Sequence, residues 1–351
     1  MAAAVATTRY DLGPDDLAEL LSGEPRYRVD QTWSGLYDQL REPDEMTNLP
    51  KGLRARLTEA APTALSPTAE QTSRDGSTVK WLWELADASR VETVLMLYPD
   101  RATVCVSSQA GCAMACGFCA TGQAGFERNL TTGEMVEQVV RAMRRAQRDG
   151  RRVSNVVFMG MGEPFANYDH TWRATVRIHD DLGLSARHIT LSTVGIIPGI
   201  RRLTAEALPV NLAVSLHAAD DDLRDELVPI NRRYPLAELA EACHAYVETT
   251  HRRLSFEWAL IDAVNDDRSQ AVKLAAYARP LRAHVNLIPL NPTPGYATRG
   301  SSPDRVRTFC AELRELGVNT TVRRNRGVDI DAAGGQLRAE HEGAVTVARR
   351  H

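Results

Sequence analysis

From Cys105 to Arg324 short apolar runs alternate with longer amphipathic stretches, and no other feature limits the possible folds of this chain as tightly. The runs are ATVCVSS, SNVVFMG, HITLST, VNLAVSLH, LSFEWALID, HVNLIPL and NTTVRR. Strands of a parallel sheet, covered on both faces, read as short continuous apolar runs of this kind. The stretches between them carry helix-start signals. Thr131 and Glu134 form a capping-box pattern ahead of MVEQVVRAMRRAQ, and Ser302 followed by Pro303 opens DRVRTFCAELREL. Strand and helix in repetition predict an α/β fold with a parallel sheet, open or closed into a barrel. Chemistry then belongs at the C-terminal strand ends. The unusual residues sit there: a cysteine loop after ATVCVSS, Gly160 to Glu163 after NVVF, Ser192 after ITL, His217 after LAVS and Asn291 after LIPL.

The rest of the chain divides around that core. Residues 1–65 alternate short helical patterns with turn signals, as in PDDLAELLSGEP and KGLRARLTEAAP, and predict a small helical domain. Residues 66–100 predict a linker or edge region, beginning in the polar LSPTAEQTSRDG, with lead-in strands after it. The catalytic body is expected over 101–326, with 327–351 as a C-terminal segment covering the site. At 351 residues and 43% hydrophobic, the chain can bury a core of that size. A net charge of −3 offers no global attraction for nucleic acid, so any such contact must be local. The sequence MAAAVATTRYDL lacks the basic and apolar regions of a leader, and no run of eighteen apolar residues occurs, which predicts a cytoplasmic protein without a membrane partner.

In a reducing compartment, clustered cysteines are metal ligands or reactive thiols rather than disulfides. Four of the six cysteines fall within CVSSQAGCAMACGFC, and Cys112, Cys116 and Cys119 have the spacing C-x3-C-x2-C. Three thiolates can hold three irons of a [4Fe-4S] cluster and leave the fourth iron open to an exogenous ligand. A structural zinc would want a fourth donor, which the loop does not offer. Three inert buried cysteines would be out of place in a glycine-bearing loop after a strand.

With Phe118 before the last cysteine, the loop resembles the radical SAM superfamily, in which the open iron chelates S-adenosyl-L-methionine and reduces it to a 5'-deoxyadenosyl radical. The alternation of strands and helices fits that superfamily's partial (β/α) barrel. The stretch GMGEP at Gly160–Pro164 looks like its glycine and glutamate segment, and a tight turn would explain the same residues in isolation. The segments CVSSQAGCAMACGFCATGQAGFERNLT, FMGMGEP, LSTVG, SLHA, LVPINRRYP, NLIPLNPTPG and VRRNRGVDIDAAGGQLRA follow one another in the order of the RlmN/Cfr family, which methylates adenine carbons of ribosomal RNA. The likeness reaches upstream to DEMTNLPKGLRARL and covers most of the chain. It implies that Gly162, Glu163, Ser192, Ser215, Leu216, His217 and Asn291 surround the cofactor. Taken singly, each of these polar residues reads as a satisfied turn or strand-end residue.

The same resemblance assigns Glu92 as a proton acceptor and Cys105 as a second catalytic thiol. From the residues alone, Glu92 is either a carboxylate with a raised pKa or an exposed strand residue paired with an Arg, and Cys105 is a packed strand cysteine. In the family mechanism a cysteine near the C-terminus receives a methyl group, carries the radical formed on it to adenine, and is released as a disulfide with the other thiol. That position here is Gly334, within DIDAAGGQL, although Asp329, Ile330, Asp331, Gly335, Gln336 and Leu337 all fit the pattern. Glycine has no side chain to carry a methyl group. Cys243 and Cys310 lie in amphipathic helices and read as packed. The partners implied are ribosomal RNA, with transfer RNA a further candidate, and an electron-donor protein for a monomeric enzyme. Arg144, Arg145, Arg151, Arg152, Arg323, Arg324 and Arg326 are candidates for phosphate contact, and equally for solvated faces.

Overall fold

The computed structural model describes residues 7–290 and 299–323. Three helices lead: α1 (Pro14–Leu20), α2 (Tyr27–Tyr37) and α3 (Lys51–Ala60). The strands β1 (Ser66–Thr72), β2 (Thr78–Glu84), β3 (Arg90–Leu97) and β4 (Ala102–Cys105) then run antiparallel to one another. A short hairpin of β5 (Gln109–Gly111) and β6 (Phe126–Asn129) brackets the cysteine loop and a single turn, α4 (Ala120–Gln123). Strand and helix alternate from there: α5 (Thr132–Arg148), β7 (Val153–Phe158), α6 (Tyr168–Asp180), β8 (Ile189–Thr193), α7 (Ile197–Ala205) and β9 (Asn211–Ser215). The series ends with α8 (Asp221–Leu227), α9 (Leu236–Thr250), β10 (Leu254–Leu260), α10 (Arg268–Ala278), β11 (His284–Pro289), α11 (Pro303–Glu315) and β12 (Thr320–Val322).

One ten-stranded sheet results, in the order β1-β2-β3-β4-β7-β8-β9-β10-β11-β12. From β4 onward every pairing is parallel. Among the described residues β1 and β12 end the sheet, which does not close on itself. This is the α/β, mostly parallel architecture that the apolar runs predict. The polar stretch after Leu65 forms the outer strand β1, where one side of the ladder faces solvent and polar residues are tolerated.

The helix starts follow the local chemistry. Thr131 Oγ1 accepts from the Glu134 N–H at 3.1 Å while Glu134 accepts from the Thr131 N–H at 2.8 Å, and Ser302 Oγ accepts from the Arg305 N–H at 3.2 Å. The inner face of α5 buries Met135, Val136, Val139 and Val140 completely. Gln138 on that helix is also fully buried, and its amide accepts from the Thr93 hydroxyl and Ser107 N–H and donates to the Ser107 carbonyl, each at 2.9–3.0 Å. A polar side chain thus satisfies the backbone where β4 leaves the sheet.

The N-terminal helices dock on α5 and α6. Glu42 accepts from Arg9, from Arg141 at 3.1 Å and from Arg144 at 3.3 Å. Asp11 accepts from the Gly133 N–H at 2.6 Å, and Arg177 donates to the Tyr10 carbonyl and the Tyr37 hydroxyl. Leu17, Leu36, Leu53, Trp81 and Val136 belong to one continuous apolar core. Two of the arginines considered for phosphate contact also have carboxylate partners within the fold: Arg144 pairs with Glu45, and Arg145 reaches Glu70 and Asp149. Arg151 donates to the Pro99 carbonyl.

Candidate active site

The cysteine loop is held open by contacts at its base. Arg128 on β6 binds Asp87 in the β2–β3 turn at 2.5 Å and Glu134 on α5 at 2.7 Å. Cys112 N–H donates to the Gly125 carbonyl at 2.8 Å, closing the neck of the hairpin. Inside the loop α4 lies against the chain at Gly122, where a Cβ would stand 2.9 Å from the Cys116 carbonyl oxygen. Any other residue there would push the thiols apart.

Cys112, Cys116 and Cys119 line one pocket of about 200 Å³, together with Phe118, Gly160, Gly162, Glu163, Ser192, Ser215 and His217. These residues come from the exits of β4, β7, β8 and β9, where the strand–helix repeat places chemistry. Among the described residues no three metal-binding side chains are gathered tightly enough for a single ion. A mononuclear site needs sulfurs within ~4.6 Å of one another, twice a Zn–S bond. A multi-iron cluster puts each sulfur on a different iron and accepts a wider spacing, and the pocket wall supplies three thiols with no fourth among the described residues. The donor set fits a cluster with one open iron. Burial pushes the Cys112 thiol up to about 12 and raises Cys116 as well, as their neighbouring thiols and Glu163 do.

Glu163 begins a 3-10 turn, Pro164–Asn167, and is 2% exposed. One carboxylate oxygen accepts from the Phe165 N–H at 2.9 Å and the other from the Val194 N–H at 2.8 Å. Burial pushes its pKa up to about 7 against those two bonds. Each oxygen keeps a lone pair for a ligand. The glycines beside it have a structural task that the sequence did not reveal. A Cβ on Gly162, whose φ is +98°, would lie 2.5 Å from the Gln109 side chain, and one on Gly160 would lie 2.8 Å from the Ser107 backbone. Both let the GMGEP turn pack against the exit of β4, and Gln109 then accepts the Glu163 N–H at 2.8 Å.

His217 adopts a left-handed backbone, φ 60°, and is buried. Its Nδ1 faces the Ala259 N–H at 2.9 Å, so it accepts and the ring proton belongs on Nε2. Burial, with Arg224 adding to it, pulls its pKa down to about 3 and keeps the ring neutral. Phe118 meets the ring edge-on at 4.7 Å.

A family model described as the radical SAM superfamily matches residues 106–275. A probable dual-specificity RNA methyltransferase RlmN of Chloroflexus aurantiacus is 52% identical, with 95% of this chain and 93% of that protein covered. The protein of the same name from Frankia alni is 54% identical, covering 92% and 80%. The chain belongs to the RlmN family of radical SAM methyltransferases. The crystal structure of a radical SAM methyltransferase from Sphaerobacter thermophilus superposes with a TM-score of 0.91 at 52% identity, covering 94% of this chain and 98% of that one.

Not every residue expected from the RlmN family resemblance reaches the pocket. Leu216 does not line it: the side chain is fully buried in the main core, its N–H donates to the Glu257 carbonyl and its carbonyl accepts from Arg224. Ser192 lines the pocket, but its hydroxyl donates to the Phe158 carbonyl at 2.5 Å. Cys105 and Glu92 lie apart, on the inner side of β3 and β4. Cys105 packs with Val94 and Met96, and burial raises its pKa. Glu92 is not exposed: at 2% exposure it meets Lys80 at 3.2 Å, one step diagonally across β2 and β3, so a Lys stands where an Arg partner was considered. Asn291, Gly334, Arg324 and Arg326 lie outside the described residues.

Three features went unrecognised in the sequence. Arg224, fully buried, donates to the carbonyls of Val194 at 2.6 Å and Leu216 at 3.1 Å and to Asn231 Oδ1 at 2.7 Å, tying together the exits of β8 and β9. Its position in LRDELVPINRRYP gave no local sign of this. Glu257 lies on the pocket wall, a carboxylate in the middle of the apolar run LSFEWALID. Below it the barrel holds a second, polar cavity of about 660 Å³ whose mouth carries Arg101, Arg187 and Arg253.

Proposed function

We propose that this chain is a radical SAM enzyme that modifies an adenine of RNA, with ribosomal RNA as the substrate class and the cytoplasm as its compartment. The observation that carries the reading is the convergence of three loop thiols, Glu163 and neutral His217 on one pocket at the strand exits. Cys112, Cys116 and Cys119 would hold a [4Fe-4S] cluster. When bound, the cluster and S-adenosyl-L-methionine together supply a 5'-deoxyadenosyl radical.

The protein's own residues bind and orient. Glu163, already fixed by two backbone N–H groups, offers its remaining lone pairs to the cofactor's amino group. His217 presents Nε2–H as a donor, because Nδ1 is committed to Ala259. Ser215 lines the same wall, Leu216 contributes backbone only, and Asn291 completes the set by family position. Glu92 and Cys105 take the family roles of proton acceptor and second thiol; the charges of Glu92 and Lys80 both act on the Cys105 thiol.

Methyl transfer is the outcome that the RlmN family implies, and one residue favours a second reading. Gly334 stands where the family's methyl-carrying cysteine belongs, so the chain could run the radical step on RNA without that carrier. The test is anaerobic reconstitution followed by S-adenosylmethionine, reductant and unmodified ribosomal RNA, with 5'-deoxyadenosine and RNA nucleoside masses as readouts. We expect deoxyadenosine from the chain with Gly334, and Gly334→Cys to raise methylated adenosine at least tenfold. Methylated adenosine that Gly334→Cys does not increase would show another carrier. Cluster-loaded protein that yields no deoxyadenosine would overturn the reading.

A further inference from the structure

The space inside the barrel does not end at the cofactor pocket. It continues into the larger cavity through a junction formed by Met159, Glu257 and Arg323, which line both. At about 660 Å³ the lower cavity is of a size that takes a nucleoside. Its wall is unlike a packed barrel core: Thr103, Asn155, Thr190, Ser255 and Asn286 face inward, hydroxyls and amides in place of branched aliphatics. The arginines at its mouth suit phosphates, and Arg187 and Arg253 are exposed.

Glu257 is the one carboxylate among the described residues of that wall. It sits on β10 between Ser215 of β9 and Asn286 of β11 in register. Asn286 Nδ2 donates to its Oε1 at 2.8 Å and the Ser255 hydroxyl to the same oxygen at 3.2 Å. Asn286 is itself fixed, because its Oδ1 accepts from the Thr321 hydroxyl at 2.7 Å. Among the described residues both hydrogen bonds fall on Oε1, which leaves Oε2 without a donor. A buried carboxylate with an open oxygen calls for an N–H donor.

We propose that the lower cavity admits the extruded base of the RNA substrate and that Glu257 reads the exocyclic amine of adenine through Oε2. The proposal rests on the RNA-adenine reading above. With the 6-position of a purine set against Oε2, guanine would turn its O6 toward the carboxylate and be disfavoured, whereas adenine presents an amine; uracil would likewise turn its O4, and cytosine is not discriminated by this contact. Asn286 and Ser255 hold the reading group in place.

The experiment is equilibrium binding at pH 8 to cluster-loaded protein saturated with S-adenosylmethionine and without reductant. The probes are short uridine oligoribonucleotides carrying one central adenosine, purine riboside (adenosine without its amine) or guanosine. Wild type should bind the adenosine oligomer at least tenfold tighter than either other one. Glu257→Gln should abolish that preference while iron content and melting temperature stay unchanged, with S-adenosylmethionine kept saturating for the variant as measured by its own affinity. Equal wild-type affinity for the adenosine and purine oligomers would overturn the proposal, even if the variant failed to fold. So would a variant that keeps the preference. Discrimination without turnover would leave Glu257 as the reader and sink the function; turnover without discrimination would do the reverse.

Discussion

His217 shows how one residue's protonation ties function to stability. Its folded pKa lies at about 3, against about 6.5 for a free imidazole. The unfolded chain takes up a proton as the pH falls below 6.5 and the folded chain does not. The neutral ring therefore stabilises the fold above pH 6.5, and that contribution is lost progressively as the pH falls toward 3. Urea denaturation of the metal-free protein at steps from pH 7 to pH 4 should show declining stability, and His217→Gln should flatten the decline. A variant with the same slope would show that other groups carry it. Single residues also mark the limit of what the sequence disclosed. Cys112, Cys116 and Cys119 were legible because their chemistry is fixed by spacing within one loop. Glu92 was not, because its ammonium partner sits on another strand and whether a strand residue is exposed depends on what covers it. Arg224 and Glu257 act on groups brought from distant segments, and no local pattern encodes that.

At the scale of elements, the strand–helix repeat and the two capped helices were readable because each rests on periodicity and a local cap. The β5–β6 hairpin was not, since QAG and FERN are too short to show any period. The two strand exits that shape the cofactor pocket are joined by Arg224, whose planar fork reaches β8 and β9 at once. Arg224→Met would leave buried carbonyls without donors and should cost about 3–5 kcal/mol. Arg224→Lys keeps the charge but loses the fork. We expect it to lower the melting temperature moderately and to weaken S-adenosylmethionine binding about tenfold, because Val194, which Arg224 holds, is one of the two residues that orient Glu163. Binding unchanged in a folded Arg224→Lys protein would confine Arg224 to stability.

At the scale of the whole molecule, Glu42 joins the N-terminal helices to the barrel through Arg9, Arg141 and Arg144. Arg9 is 5% exposed and would lose its carboxylate in Glu42→Ala. The expected loss is about 2 kcal/mol, between a surface and a buried ion pair. Hydrogen exchange should quicken over α1–α3 while deoxyadenosine formation by the loaded protein persists; a uniform change across the barrel would mean that the helices do not open separately. The unclosed sheet has a different consequence. A ring that closed fully around the lumen would admit a substrate only through its two rims. Among the described residues the first and last strands remain apart, so a long unbroken polymer could also be approached from the side while one internal unit enters.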